Sequence, residues 1–133
     1  MQNQRIFIIE DESLHSEMYG TMFEQEGFDV ERVLSGDAAV SRIDSLSSID
    51  ARPDAIVLDI MLPGFSGFSV LEHIRRNPLT KHTPVVVATN LALEEIRDKA
   101  TALGATAVIL KATSTPKDIV EKVKALIKAS SGQ

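Results

Sequence analysis

Cysteine is absent from the 133 residues, which excludes a disulfide scaffold and thiol chemistry. No apolar run approaches the roughly 20 residues that a membrane-spanning helix needs. The first residues also lack the basic segment and the long apolar segment of a secretory signal. A surplus of positive charge is missing as well, since the formal net charge is −5. We therefore expect a cytoplasmic protein that binds neither membranes nor, by itself, nucleic acid.

The chain also lacks internal repeats and any second compositional block. Apolar residues make up 44% of it and charged residues 25%, which is close to the average for globular proteins. A chain of this length can bury a three-layer core without disulfides or metal. We expect one domain over residues 1–133, with residues 129–133 as a polar C-terminal tail.

Four short apolar runs have a common design, because each ends abruptly on a residue with a polar side chain. The runs and their end residues are Ile6–Ile9 before Glu10, Ala55–Leu58 before Asp59, Val85–Ala88 before Thr89 and Ala107–Leu110 before Lys111. Such runs are typical of strands buried on both faces. If helices connect them, the strands are parallel and their carboxyl ends meet at one edge, where open α/β sheets bind ligands.

Helical patterns do lie between the runs. Leu14, Met18 and Met22 recur at helical spacing and predict a first helix. Ser35 is suited to cap the second. A more polar strand, Phe28 to Val33, fits the edge of a sheet.

The second half of the chain continues the alternation. Helix three should end before Asn77, and Gly104 should stop helix four. Thr115 to Asp118 reads as a capping box with proline at the first helical position. The last helix is expected to fray at Ala129. The result is five consecutive βα units.

Four features together closely resemble the receiver domain of two-component response regulators: the acidic pair Glu10-Asp11, Asp59 with Met-Leu-Pro-Gly-x-x-Gly beginning two residues after it, Thr89 and Lys111. The resemblance covers nearly the whole chain. It implies a flavodoxin-like, doubly wound (βα)5 sandwich of three layers, with parallel strand order 2-1-3-4-5. It also implies a signalling switch rather than an enzyme, although one that assists its own phosphorylation and dephosphorylation. Asp59 would take a phosphoryl group from a sensor histidine kinase or a phosphotransfer protein, and the domain would then act on a downstream protein or an appended output domain.

The acidic cluster needs a cation, because two unit charges about 4 Å apart repel by roughly 4 kcal/mol at an effective dielectric constant near 20. Oxygen ligands suit Mg²⁺. By resemblance the ligands are Asp11, Asp59 and the backbone carbonyl of Met61, with Glu10 acting through water. Thr89 would hydrogen-bond a phosphoryl oxygen, and Lys111 would provide its counter-charge.

Two positions depart from the family pattern. Ala112 follows Lys111 where proline is usual, so a trans bond is expected, since the cis form would cost about 3 kcal/mol. Val108 stands where the family commonly has an aromatic residue that changes rotamer on activation. The aromatic readout is therefore missing.

Three other functions are alternatives. A haloacid-dehalogenase phosphatase is one, but it needs a second aspartate where Met61 stands. A flavodoxin-type cofactor binder is another, but the acidic residues at 10–12 would repel the phosphate of its cofactor. A degenerate receiver that serves as a phosphorylation-independent docking module is the third. His15, His73 and His82 have no metal-ligand spacing in this interpretation and are expected at surface positions.

Overall fold

A computed structural model describes residues 3–62 and 66–131 of the chain. Pro63 and Gly64, which the sequence predicts to form a turn that ends the third strand, therefore lie outside the described residues. The strands are β1 (Arg5–Ile9), β2 (Asp29–Val33), β3 (Ala55–Leu58), β4 (Val85–Thr89) and β5 (Ala107–Leu110). The helices are α1 (Ser13–Gln25), α2 (Gly36–Asp44), α3 (Gly67–Arg76), α4 (Glu94–Ala102) and α5 (Pro116–Ser131), with short 3-10 turns at Ile49–Ala51 and Lys111–Thr113.

The five strands form one parallel sheet in the order β2-β1-β3-β4-β5. This confirms the predicted fold class and strand order. The observed β2 starts at Asp29, one residue later than the sequence predicted. Among the described residues, no helix is both long enough and apolar enough to cross a lipid bilayer.

Two apolar cores lie on opposite faces of the sheet, because successive strand residues point to opposite sides. Phe7, Ile56 and Val87 face the core under α2, α3 and the end of α4. Ile8 and Val57 face the core under α1 and α5. The three inner strands are consequently buried along almost their whole length, which explains their unbroken apolar sequence.

Helix α1 exists where predicted, but its buried face is a different one. Its buried residues are Ser16, Tyr19, Gly20 and Phe23. Leu14 is 73% exposed and Met18 is 39% exposed, although both belong to the apolar spacing that predicted the helix. The small residues of α1 face inward because the helix packs closely: a Cβ on Gly20 would overlap the guanidinium of Arg32.

The caps of α2 and α5 are confirmed. Ser35 Oγ accepts the Ala38 N–H at 3.1 Å. In the capping box, the Thr115 N–H donates to Asp118 Oδ2 at 2.9 Å, and the Asp118 N–H donates to Thr115 Oγ1 at 3.1 Å. The prediction that the last helix frays at Ala129 is wrong, because α5 continues to Ser131. Its alanine-rich and lysine-rich last turns favour helix over a polar tail.

Arg75, near the end of α3, hydrogen-bonds to the main chain at the edge of the sheet where β4 and β5 begin. Its Nε donates to the Gly104 carbonyl at 2.9 Å and its Nη1 to the Thr83 carbonyl at 2.8 Å. The same Nη1 also lies 3.2 Å from the carbonyl oxygens of Thr80 and Lys81. One guanidinium thus satisfies main-chain acceptors of the segments that precede both strands.

Candidate functional site

Strand register places Glu10 beside Asp59 at the carboxyl edge of the sheet. Ile9 of β1 pairs with Leu58 of β3, so the residue after each strand lies next to the other. The Asp59 N–H donates to the Ile9 carbonyl at 3.0 Å, and the Glu10 N–H donates to the Val33 carbonyl at 3.0 Å. Both acidic residues are therefore fixed by the main chain of the sheet.

Lys111 joins these two carboxylates. Its Nζ donates to Glu10 Oε2 at 2.9 Å and to Asp59 Oδ2 at 3.0 Å, and its side chain is only 6% exposed. The lysine reaches them because it follows Leu110, which pairs with Thr89 of β4, and because the chain then turns in a short 3-10 helix. An ammonium group between two buried carboxylates offsets their repulsion.

The electrostatics of this cluster favour a proton or a cation. Burial of the Glu10 carboxyl, followed by its hydrogen bond to Asp59, raises the pKa of Glu10 from 4.5 to about 7, although Lys111 opposes the shift. Burial lowers the pKa of Lys111, but its contacts with Glu10 and Asp59 outweigh that effect, and the pKa is raised. The lysine therefore stays charged, while Glu10 holds its proton more tightly than an exposed glutamate does.

The loop after β3 holds Asp59 through its main chain. Asp59 Oδ1 accepts the Met61 N–H at 2.9 Å. The Gly67 N–H at the start of α3 donates to the Ile60 carbonyl at 2.9 Å. A Cβ on Gly67 would overlap the Asp59 carbonyl oxygen and Ile60 Cα, so only glycine permits this approach. The last glycine of the motif that follows Asp59 is thus explained by packing against the site.

Oxygen ligands for a divalent cation converge at the same edge. Carboxylate oxygens of Glu10, Asp11 and Asp59 all lie within 4.8 Å of one another. Asp11 is exposed, whereas Glu10 and Asp59 are 3% and 8% exposed. A hard cation such as Mg²⁺ fits a donor set of this kind. The predicted role of the Met61 carbonyl remains a prediction, although its N–H bond to Asp59 places that residue beside the site.

Thr89 is buried at the end of β4, the strand that pairs with β3 and so lies next to the one that ends at Asp59. Its Oγ1 accepts the Leu91 N–H at 3.1 Å, which fixes the start of the loop before α4. The residue lines a cleft of about 350 Å³ whose walls also include Leu91, Leu93, Arg97 and Val108. A larger side chain at position 108 would occupy part of this space.

The bond from Lys111 to Ala112 is trans, as predicted. There is no cis peptide bond in the described ranges 3–62 and 66–131. The short 3-10 turn at Lys111–Thr113 gives the loop its course after the lysine. Proline is not required to aim Lys111 at Asp59.

The interpretation of His15 as an incidental surface residue is wrong. Its side chain is 28% exposed, and its Nδ1 lies 3.5 Å from Glu10 Oε1 and 3.4 Å from Glu12 Oε2. That nitrogen is buried and has no hydrogen-bond partner. The spacing Glu12-x-x-His15 is the sequence signal that could have revealed this arrangement, since residues i and i+3 share a helix face.

Comparisons with known proteins agree with this geometry. The family model for the response regulator receiver domain matches residues 6–124. The chain is 36% identical over 125 residues to the phosphate regulon transcriptional regulatory protein PhoB of Escherichia coli, covering 94% of this chain and 52% of that protein. It thus spans about half the length of these curated relatives.

Solved structures show the same fold. A CheY-like response regulator receiver domain from Methanospirillum hungatei superposes with a TM-score of 0.87 at 24% identity, covering 98% of each chain. The beryllofluoride-activated receiver domain of Klebsiella pneumoniae RstA gives a TM-score of 0.81 at 25% identity, covering 94% of this chain and 99% of that one. Because the family model matches residues 6–124, this chain belongs to the response regulator receiver domain family.

Proposed function

We propose that Asp59 accepts a phosphoryl group from the phosphohistidine of a sensor histidine kinase or a phosphotransfer protein. The observation that carries the proposal is the pair of bonds from Lys111 to Asp59 and Glu10, because they bring a buried ammonium group to the carboxylate that follows β3, the middle strand of the sheet. A purely structural aspartate at a strand end does not require an ion pair with a lysine that lies 52 residues away in the sequence.

The reaction needs little from the protein beyond positioning and charge. An oxygen of the Asp59 carboxylate attacks phosphorus, an acyl phosphate bond forms, and the bond from phosphorus to the imidazole nitrogen breaks with its electron pair returning to the ring. The Lys111 ammonium is placed to stabilise negative charge on the transferring oxygens. The Thr89 hydroxyl, whose oxygen now accepts the Leu91 N–H, still has a proton to donate to one of them.

We propose Mg²⁺ as the cofactor, held by Asp11 and Asp59, with Glu10 nearby and the Met61 carbonyl as a further ligand. When bound, such an ion neutralises charge on a transferring phosphoryl group. The convergence of three carboxylates and the raised pKa of Glu10 both support a cation at this position. The beryllofluoride-activated RstA domain is a relative in which a phosphoryl mimic occupies a receiver.

The remaining proposals concern organisation and partners. Residues 1–133 form a single receiver domain, and its output is a change in partner binding, either of a separate protein or of an appended output domain. Relatives such as PhoB are transcriptional regulators about twice as long as this chain. The net charge of −5 supports an output through protein contacts rather than direct nucleic-acid binding by this domain.

The experiment is phosphorylation by acetyl phosphate with Mg²⁺, followed by intact-protein mass spectrometry. We expect the mass gain of one phosphoryl group, its loss in Asp59→Asn and its retention in Asp37→Asn, an exposed aspartate in the first turn of α2. Equal labelling of the Asp59→Asn variant would refute the assignment. Absence of labelling in the wild type, from both acetyl phosphate and a phosphorylated kinase, would favour the docking module.

A further inference from the structure

The two side-chain oxygens of Glu10 face different groups. Oε2 accepts a hydrogen bond from Lys111 at 2.9 Å, as described above. Oε1 points to the other side, towards His15 Nδ1 at 3.5 Å. On that side the nitrogen also lies 3.4 Å from Glu12 Oε2. The Lys111 ammonium therefore bonds Oε2 and does not explain why Oε1 lies beside His15 and Glu12.

Three potential ligand atoms surround this point: His15 Nδ1, Glu10 Oε1 and Glu12 Oε2. His15 Nδ1 is buried without a hydrogen-bond partner, so neither carboxylate satisfies it. Glu12 occupies the N-cap position of α1, yet its side chain makes no capping hydrogen bond. The Glu12 carboxylate, which does not cap the helix, and the unpaired His15 nitrogen thus lie beside the buried carboxylate of Glu10. A positive centre among them is the arrangement that satisfies all three.

The spacing matches a particular class of ion. Tetrahedral Zn²⁺, with bonds of about 2.0–2.2 Å, keeps its ligand atoms about 3.4 Å apart. The two distances from His15 Nδ1, 3.4 and 3.5 Å, agree with that separation. The remaining pair of oxygens lies within 4.8 Å. Glu12 is 57% exposed, which leaves the fourth coordination position open to water.

We propose that His15 Nδ1, Glu10 Oε1 and Glu12 Oε2 form a binding site for a borderline-soft divalent transition metal of the Zn²⁺ class. The site shares Glu10 with the oxygen site of Asp11 and Asp59, and its imidazole ligand is what distinguishes it from that site. Imidazole nitrogen favours Zn²⁺, Ni²⁺ and Cu²⁺, whereas Mg²⁺ prefers oxygen and retains its waters. The proposal concerns binding and stands whether or not Asp59 is phosphorylated.

The test is titration of the intact, chelator-treated chain with ZnCl2 by isothermal calorimetry, and with Co²⁺ by visible absorption, which is intense for tetrahedral coordination. We expect one Zn²⁺ per chain, with affinity reduced by about tenfold or more in both His15→Gln and Glu12→Gln. His82→Gln is the matched control, because His82 is exposed on a loop before β4, and it should leave Zn²⁺ binding unchanged. The His15 ring resonances should shift with Zn²⁺ and not with Mg²⁺.

A reciprocal pair of variants separates this site from the Mg²⁺ site. His15→Gln should lower Zn²⁺ affinity and leave Mg²⁺ affinity unchanged, while Asp11→Ala should do the reverse. Zn²⁺ affinity that is unchanged in Glu12→Gln, whose exposed side chain is not needed for folding, would overturn the proposal. So would an equal loss in His15→Gln and His82→Gln, which would mean adventitious binding only.

Discussion

Lys111 Nζ lies 3.0 Å from Asp59 Oδ2, and both side chains are at least 90% buried. A buried ion pair of this kind adds little stability relative to an apolar pair, but removing one partner leaves an uncompensated charge. The proximity of the two groups is therefore better explained by chemistry at the site than by folding stability. Its energetic consequences are nevertheless measurable.

Replacing Lys111 by methionine should lower the free energy of unfolding at neutral pH by about 3 kcal/mol in metal-free buffer, because Glu10 and Asp59 lose their shared counter-charge. Urea denaturation measures the change. Lys111→Met combined with Glu10→Gln should recover part of the loss, since one of the two facing charges is gone. The control is Lys124→Met, which removes an exposed ion pair with Glu26 and should have little effect. Equal losses in Lys111→Met and Lys124→Met would contradict this account.

The raised pKa of Glu10 makes stability depend on pH in a definite direction. Between pH 4.5 and about 7 the folded protein retains a proton on Glu10 that the unfolded chain has lost. The free energy of unfolding of the metal-free protein should therefore fall as pH rises through that interval, by roughly 3 kcal/mol at most. Other carboxyl groups titrate in both proteins, so the informative quantity is the difference between wild type and Glu10→Gln. Parallel pH profiles for the two proteins would show that Glu10 does not titrate as described.

Mg²⁺ should raise the melting temperature, because it binds the native site and not the unfolded chain. At a concentration about 100 times the dissociation constant, the gain in unfolding free energy is about 2.7 kcal/mol. Asp11→Ala should abolish this gain without unfolding the protein, since Asp11 is exposed. Asp37→Ala, with a similar exposed carboxylate on α2, should retain it. If Mg²⁺ stabilises the Asp11→Ala variant as much as the wild type, the ligand assignment is wrong.

Gly67→Ala should destabilise the protein by about 1–3 kcal/mol, because the added Cβ meets main-chain atoms of Asp59 and Ile60 that cannot rotate away. The backbone shift needed to accept it would also change the amide chemical shifts of Asp59 and Met61. Ser41→Ala, on the exposed side of α2, provides a control for a substitution that adds no contact with the site. Equal stability of Gly67→Ala and Ser41→Ala would show that the site tolerates the displacement.

We expect the output of phosphorylation to begin in the loop between β4 and α4. The Thr89 hydroxyl holds the Leu91 N–H, so a move of that hydroxyl towards a phosphoryl group disturbs the loop directly. Val108 is too small to act as a ring switch, and its branched chain has few rotamers. Addition of beryllofluoride should therefore shift the amide resonances of residues 89–96, and these shifts should persist in Val108→Ala. If the wild type lacks them although Asp59 is modified, the constitutive docking module becomes the better explanation.

The sequence predicts the fold well because buried parallel strands have a distinctive pattern. A short apolar run that ends on a polar residue places that residue at the sheet edge, so the positions of Glu10, Asp59, Thr89 and Lys111 follow from the order of elements alone. The caps at Ser35 and Thr115 are equally local, since each depends on one side chain and a main-chain donor nearby.

Features that depend on packing were not predictable in the same way. Helix α1 buries Ser16 and Gly20 rather than Leu14, because the space beneath the helix is set by Arg32 and the sheet and not by its own periodicity. The arrangement of Glu12 and His15 depends on how the helix meets the end of β1. Spacing alone marks the pair, and only the position of Glu10 gives it a third member.

The contacts of Arg75 have a consequence for motion. They fix the starting ends of β4 and β5, and the Gly104 carbonyl that they hold comes directly after the end of α4. The carboxyl end of α4 is therefore held next to the start of β5, whereas its first turn follows the loop whose Leu91 N–H is held by Thr89. We expect a small displacement at Thr89 to move the first turn of α4, at Glu94, more than Leu103. A partner whose affinity depends on the state of this domain should therefore contact the first turn of α4.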